Sequence, residues 1–179
     1  MEGSGRSKPS SRRAVREIAE TILLAVVLAF VVRGFVVETF VVLGPSMEPT
    51  LHDLERLFVN KVGYRLQSPS RGDIIVFAYP KDMNRDFIKR IIGLPGDTVE
   101  IKDGRVYVND SFLNEIYVSY PDNHANYGKV SVPPANVFVL GDNRRNSEDS
   151  RYFGFVPITN IRGKAFLIYW PVSRFGLPQ

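Results

Sequence analysis

The chain has 179 residues, 44% of them hydrophobic, with no cysteine and two histidines, His52 and His124. It is long enough for one core-forming domain and an appendage, while disulfide stapling, cysteine nucleophiles and thiolate metal sites are excluded, and two distant histidines argue against a multi-histidine metal centre. A net charge of +4 is not a nucleic-acid signature here, because residues 1–17 alone carry +3 and residues 39–179 only +2.

Residues 1–15 open with "MEGSGRSKPSSRR", which is small, polar, basic and without periodicity, and they read as a cytoplasmic tail. From Ile18 to Val32 only Glu20 and Thr21 interrupt an apolar run. As a helix that run spans roughly 22 Å, short of a bilayer core of about 30 Å. Extending it through "RGFVV" lengthens it, with Arg33 reaching toward the far interface along its stem. The expected anchor is a single transmembrane helix over residues 16–36. A cleaved signal peptide and a buried core helix are the alternatives; no A-x-A-like site follows the run, and a core helix leaves the basic tail unexplained. The positive-inside bias puts the N-terminus in the cytoplasm and residues 37–175 outside.

The body reads as mainly β. "ERLFVNKVGY" (55–64), "SPSRGDIIVFAYP" (68–80), "DFIKRIIGLPGD" (86–97), "NVFVLGDN" (136–143) and "GKAFLIYW" (163–170) are apolar segments bounded by turn residues. "TVEIKDGRVYVND" (98–110) alternates about Asp103-Gly104, a hairpin signal. "YPDNHANYGKVSVPP" (120–134) reads as an exposed excursion.

Three stretches carry polar residues that composition alone does not explain. In "GPSMEPTL" (44–51) the prolines stiffen the chain around Ser46, which suits a plain turn and equally suits a nucleophile held in place. In "FIKRIIGLPGD" (87–97) Lys89 and Arg90 point to opposite sides of an apolar strand. Either lysine snorkels to water, or burial lowers its pKa and makes it a general base. "GDNRRNSEDSRYFGFVP" (141–157) is a solvated loop or a buried polar network between two core-forming segments. A serine paired with a lysine base needs neither histidine nor cysteine, which suits this composition.

Taken in order behind an apolar segment, "GPSMEPTL", "RGDIIVF" (71–77), "FIKRIIGLPGD" and "GDNRRNSEDSRYFGFV" resemble the conserved boxes of the bacterial type I signal peptidases, the membrane-bound leader peptidases. The resemblance covers residues from about 15 to 170. It implies a β-rich serine protease domain with a serine–lysine dyad and no cofactor or metal. By that likeness Ser46 is the nucleophile and Lys89 the general base. Ser147 would hold the lysine amine, Asp149 and Arg151 would form a supporting ion pair, and Asp142 would lie near Arg90 with Gly141 permitting close packing. Met47 and Gly44 would border the substrate groove or the lipid surface.

The implied activity removes signal peptides from exported preproteins after small residues at −1 and −3. The bilayer is the expected second partner and an export translocon an expected neighbour, with no nucleic acid and a monomeric enzyme. The compartment is the cell membrane, or a thylakoid membrane for a cyanobacterial form. Some members carry a serine two residues before the nucleophile, whose hydroxyl helps the oxyanion hole. This chain has Gly44 there, and losing one such donor costs about 3 kcal/mol. The alternative from a different class is a membrane-anchored, non-catalytic β-rich binding module.

Overall fold

The computed structural model describes residues 11–31 and 36–178, and the chain divides into two units at Val36/Val37. In the first unit, helix α1 (Ser11–Val31) is free of proline and glycine, and its exposed Arg13–Glu17 and Arg16–Glu20 pairs (3.3 and 2.7 Å) lie one turn apart. These charges fill its first half, so among the described residues no helix is long and apolar enough to cross a membrane. The expected anchor also takes in residues 32–35, which lie outside the described residues.

The second unit is β-rich. Its strands are β1 (Val37–Val41), β2 (Arg56–Asn60), β3 (Ile74–Tyr79), β4 (Asp82–Gly93), β5 (Thr98–Lys102), β6 (Arg105–Val108), β7 (Ser111–Phe112), β8 (Tyr127–Ser131), β9 (Asn136–Leu140), β10 (Val156–Pro157) and β11 (Ile161–Trp170). They form a seven-stranded antiparallel sheet in the order β1-β2-β11-β3-β4-β9-β10 and a four-stranded sheet in the order β7-β6-β5-β8. Short helices α2 (Gly63–Leu66) and α3 (Ser150–Phe153) punctuate the loops.

The apolar runs of β3, β4 and β9 are continuous because both faces of these strands are covered. Ile74 and Val76 point into one core with Val42, Met47, Leu51 and Leu57. Ile75 and Phe77 point the other way, into a second core with Ile91, Val137 and Val139. On β4 and β9 the alternation continues, and Ile92, Phe138 and Leu140 pack under the small sheet against Val99, Ile101 and Val106. The hairpin expected at Asp103-Gly104 forms between β5 and β6, with both turn residues at positive φ (46° and 73°), as its tight geometry demands.

Two expectations change. The exposed excursion of residues 120–134 contains β8, which pairs with β5 from Thr98↔Ser131 to Ile101↔Tyr127. Its polar composition hides the strand because only one face packs on the core. The strand expected from residue 86 begins at Asp82, in a hairpin with β3.

Candidate active site

The segment between β1 and β2 carries Ser46. Gly44 has φ +85°, a left-handed conformation that L side chains rarely adopt, and its amide donates to Asp53 Oδ1 at 2.7 Å. That backbone accounts for glycine where a serine hydroxyl would otherwise be available. Behind it, Glu48 N donates to Pro45 O (3.1 Å) and Leu51 N to Met47 O (2.9 Å), closing two short turns around the serine.

β4 supplies Lys89 and Arg90, both nearly buried at 4% and 6% exposure. Successive strand residues face opposite sides, so the two cations serve different neighbours. Lys89 Nζ lies 2.9 Å from Ser46 Oγ, across 43 residues of sequence, and donates to Ile88 O at 2.8 Å. Burial pushes the ammonium down to about 8, while Asp149, Glu148 and Asp142 pull it partly back. Arg90 makes a two-pronged pair with the fully buried Asp142 (Nε–Oδ1 2.9 Å, Nη2–Oδ2 2.7 Å) and donates to Gly72 O at 2.9 Å. Thr50 Oγ1 also donates to Asp142, tying the serine segment to the strand behind it.

The loop after β9 completes the arrangement. Asn143 N donates to Ser46 O (3.1 Å) and Asn143 Nδ2 to Pro45 O (3.2 Å). Asp149 is fully buried, accepts from Gly141 N at 3.1 Å, and pairs with Arg151 through Nε at 2.8 Å. An added Cβ on Gly141 would lie 2.5 Å from Ser46 O and 2.2 Å from Ser147 Oγ, so this residue lets two backbones approach as no other residue can.

Met47 lies apart from the groove, and Ser147 makes no hydrogen bond to the lysine amine. Met47 is completely buried in the core with Val42, Leu51 and Leu57, so it reaches neither groove nor lipid; its apolar side chain follows the inward turn of the segment. Ser147 Oγ is buried with no hydrogen-bond partner among the described residues, and the lysine's further bond goes to Ile88 O instead.

Sequence reasoning missed a second tier. Arg144 Nε donates to Gly141 O at 3.1 Å, and its guanidinium is held by the buried Glu115, from a segment that shows no motif (Nη1–Oε2 2.7 Å). Tyr117 donates to Glu115 Oε1 at 2.8 Å and lays its ring 3.9 Å from the Arg90 guanidinium. Ser150 Oγ accepts from Val139 N at 2.9 Å, locking the loop onto β9. No sequence spacing signals the contacts of Glu115 with Arg144 and of Tyr117 with Arg90, because they join separate segments.

Beside Ser46 and Lys89 opens a cavity of about 550 Å³, walled by Phe40, Val42, Leu57, Val76 and Ile88, with Gly44 and Glu148 also on its lining. A hydroxyl against a partly neutral amine, at the end of an apolar groove, is equipped for acyl transfer to serine without histidine.

The chain belongs to the peptidase S26 family of signal peptidases, whose model matches residues 15–170, and is a serine endopeptidase. It is 48% identical to a probable signal peptidase I-2 of a Synechocystis species, over 90% of this chain and 76% of that protein. It is 40% identical to the signal peptidase I of Bacillus amyloliquefaciens over 96% of both chains. A crystal structure of a signal peptidase I from Enterococcus faecalis V583 superposes with a TM-score of 0.50 at 36% identity, covering 55% of this chain and 97% of that one.

Proposed function

We propose that the chain removes signal peptides from exported preproteins, with Ser46 as nucleophile and Lys89 as general base. The observation that carries this reading is the 2.9 Å approach of Lys89 Nζ to Ser46 Oγ where burial favours the neutral amine. With a pKa of about 8, roughly one lysine in eleven is neutral at pH 7, against about three in ten thousand for an ordinary lysine. In that form the hydrogen bond reverses, and the serine hydroxyl donates to the nitrogen lone pair.

Ser46 Oγ attacks the carbonyl carbon of the scissile bond as its proton passes to Lys89 Nζ. The Ser46 N–H, engaged by no other group among the described residues, is the donor for the developing oxyanion. Lys89 then gives the proton to the departing amine of the mature protein. It next takes a proton from water as the water attacks the acyl-enzyme, and returns that proton to Ser46 as the signal peptide leaves. Arg90, Asp142, Asp149 and Arg151 do not touch the reacting atoms; they hold the serine segment and the loop after β9 in register. The reading includes cleavage after small residues at −1 and −3, a preference that shallow pockets excluding larger side chains would give.

The same reading includes a single membrane anchor over residues 16–36, a cytoplasmic tail over 1–15 and an extracytoplasmic domain over 37–175. Ile22, Leu23, Leu24 and Leu28 of α1 are exposed apolar groups of the kind a bilayer covers. An anchor holds the groove where the substrate's apolar segment ends, which raises effective concentration without a new contact.

The test is processing of a model preprotein by the full chain in detergent, beside Ser46→Ala and Lys89→Ala. Loss of cleavage in both variants, with folding retained, is the expected result. Cleavage at the wild-type rate by either purified variant overturns the dyad.

A further inference from the structure

The groove beside Ser46 continues past Phe40 and Asp86. Those two residues also line a second cavity of about 750 Å³, whose other walls include Glu38, Lys61, Tyr64 and Arg162. The character changes at that boundary. The first cavity is walled mainly by aliphatic and aromatic side chains, whereas the second carries acidic and basic side chains from β1, the turn after β2, β4 and β11. Glu38 and Phe40 are two apart on β1 and so point to the same side, which places the two cavities one after the other along that strand.

The charges in the second cavity are loosely paired. Lys61 Nζ lies 3.4 Å from Glu38, and Arg162 Nε lies 3.3 Å from Asp86. The four side chains are 32–48% exposed, so these pairs add little stability and exchange partners readily. An apolar side chain seated among them would strip their water and return no hydrogen bond. A carboxylate, amide or ammonium would find a partner of either sign.

An extended chain lying along the groove advances about 3.3 Å per residue, so Val42 to Glu38 corresponds to about 13 Å, or four substrate residues. We propose that Glu38, Lys61, Asp86 and Arg162 form a polar subsite for charged or hydrogen-bonding residues of the signal peptide, roughly five to eight positions upstream of the cleaved bond. It rests on the reading of Ser46 as nucleophile, with the upstream residues nearest the cleaved bond in the first cavity. Its consequence is register. The apolar segment of a signal peptide is refused entry, so cleavage falls at a set distance beyond the point where that segment ends.

The experiment uses the full chain in detergent and peptides that differ only at position −6, as Ser, Asp, Lys or Leu. The wild type is compared with Arg162→Gln and Glu38→Gln, and kcat/KM is expressed for each enzyme relative to its own Ser peptide, which cancels any difference in active fraction. The wild type is expected to process the Leu peptide least well. Arg162→Gln is expected to lower the Asp ratio, and Glu38→Gln the Lys ratio, each by about threefold to fivefold. Ratios that are the same for all three enzymes, or that respond only when the charge is moved downstream of the cleaved bond, overturn the subsite. A Ser46→Ala arm separates the two readings. A dead Ser46→Ala with unmoved ratios overturns the subsite alone, whereas undiminished cleavage by Ser46→Ala overturns the catalytic assignment on which it rests.

Discussion

Replacing Gly141 by alanine adds one methyl group at the tightest point of the site. The new Cβ would stand 2.5 Å from the Ser46 carbonyl oxygen and 2.2 Å from Ser147 Oγ. Ordinary contact begins near 3.4 Å, so the Ser46 carbonyl has to retreat by roughly 1 Å. Ser147 Oγ can yield by rotating, but the Ser147 Cβ, 2.6 Å away, and the Ser46 carbonyl move only with their backbones. Its movement also strains the bond from Asn143 N to Ser46 O (3.1 Å). A displacement of about 1 Å between reacting groups costs on the order of a hundredfold in rate. Overpacking of this kind costs about 1–3 kcal/mol in stability.

The assay is single-turnover cleavage of a saturating model preprotein, paired with denaturant unfolding of the same detergent preparation. The expected result is a kcat lower by about a hundredfold with KM much less affected. The double variant Gly141→Ala/Ser147→Gly removes the side-chain clash and leaves the backbone clash, so it should recover part of the stability without recovering kcat. A Gly141→Ala enzyme with wild-type kcat, or a double variant restored to full activity, would refute the assignment of the effect to the Ser46 backbone.

Other outcomes follow from the charges around the lysine. The acidic limb of log kcat/KM should fall near pH 8, and Glu148→Gln, which removes a charge that holds the Lys89 proton, should move it to lower pH; an unmoved or upward-shifted limb contradicts this. Lys89 has a lower pKa folded than unfolded, so the unfolded chain binds more protons between about pH 8 and 10.5, and this group's contribution to stability rises with pH across that window. Below pH 8 its burial costs roughly 3 kcal/mol, so Lys89→Met should abolish cleavage yet raise the unfolding midpoint at pH 7; a lowered midpoint argues against the burial penalty. Glu115→Ala strands the buried Arg144 and should cost about 3–5 kcal/mol in urea unfolding. A cost under 1 kcal/mol would show that Arg144 finds water or another acceptor. Gly44→Ala meets open space but keeps a positive φ, so it should cost about 1–2 kcal/mol without a steric clash.

Much of the fold was legible from period and punctuation. The β5–β6 hairpin was marked by alternation about Asp103-Gly104, and the buried strands by continuous apolar runs closed by turn residues. β8 was not legible, because a half-exposed strand written "YGKVS" has no strong period and owes its place to pairing with β5. The site is legible as boxes of residue types that contain Ser46, Lys89, Arg90, Asp142, Asp149 and Arg151, but the boxes do not say which of these touch. Met47 was misplaced, since a single residue between a serine and a glutamate gives no sign of which way the turn faces. Glu115 and Tyr117 were invisible, for they belong to no box and act only through what they touch.

Sequence alone determined the β-rich body, the order of its motifs and the chemical types available for catalysis. It also required that any nucleophile here work without cysteine. Only the tertiary structure decided that β4 carries Lys89 across 43 residues to within 2.9 Å of Ser46, and that burial there takes the amine down to about 8. Periodicity sets which side of a strand a residue faces. What waits on that side, and how much water is left there, depends on segments distant in the chain, and those two quantities set the chemistry of a lysine.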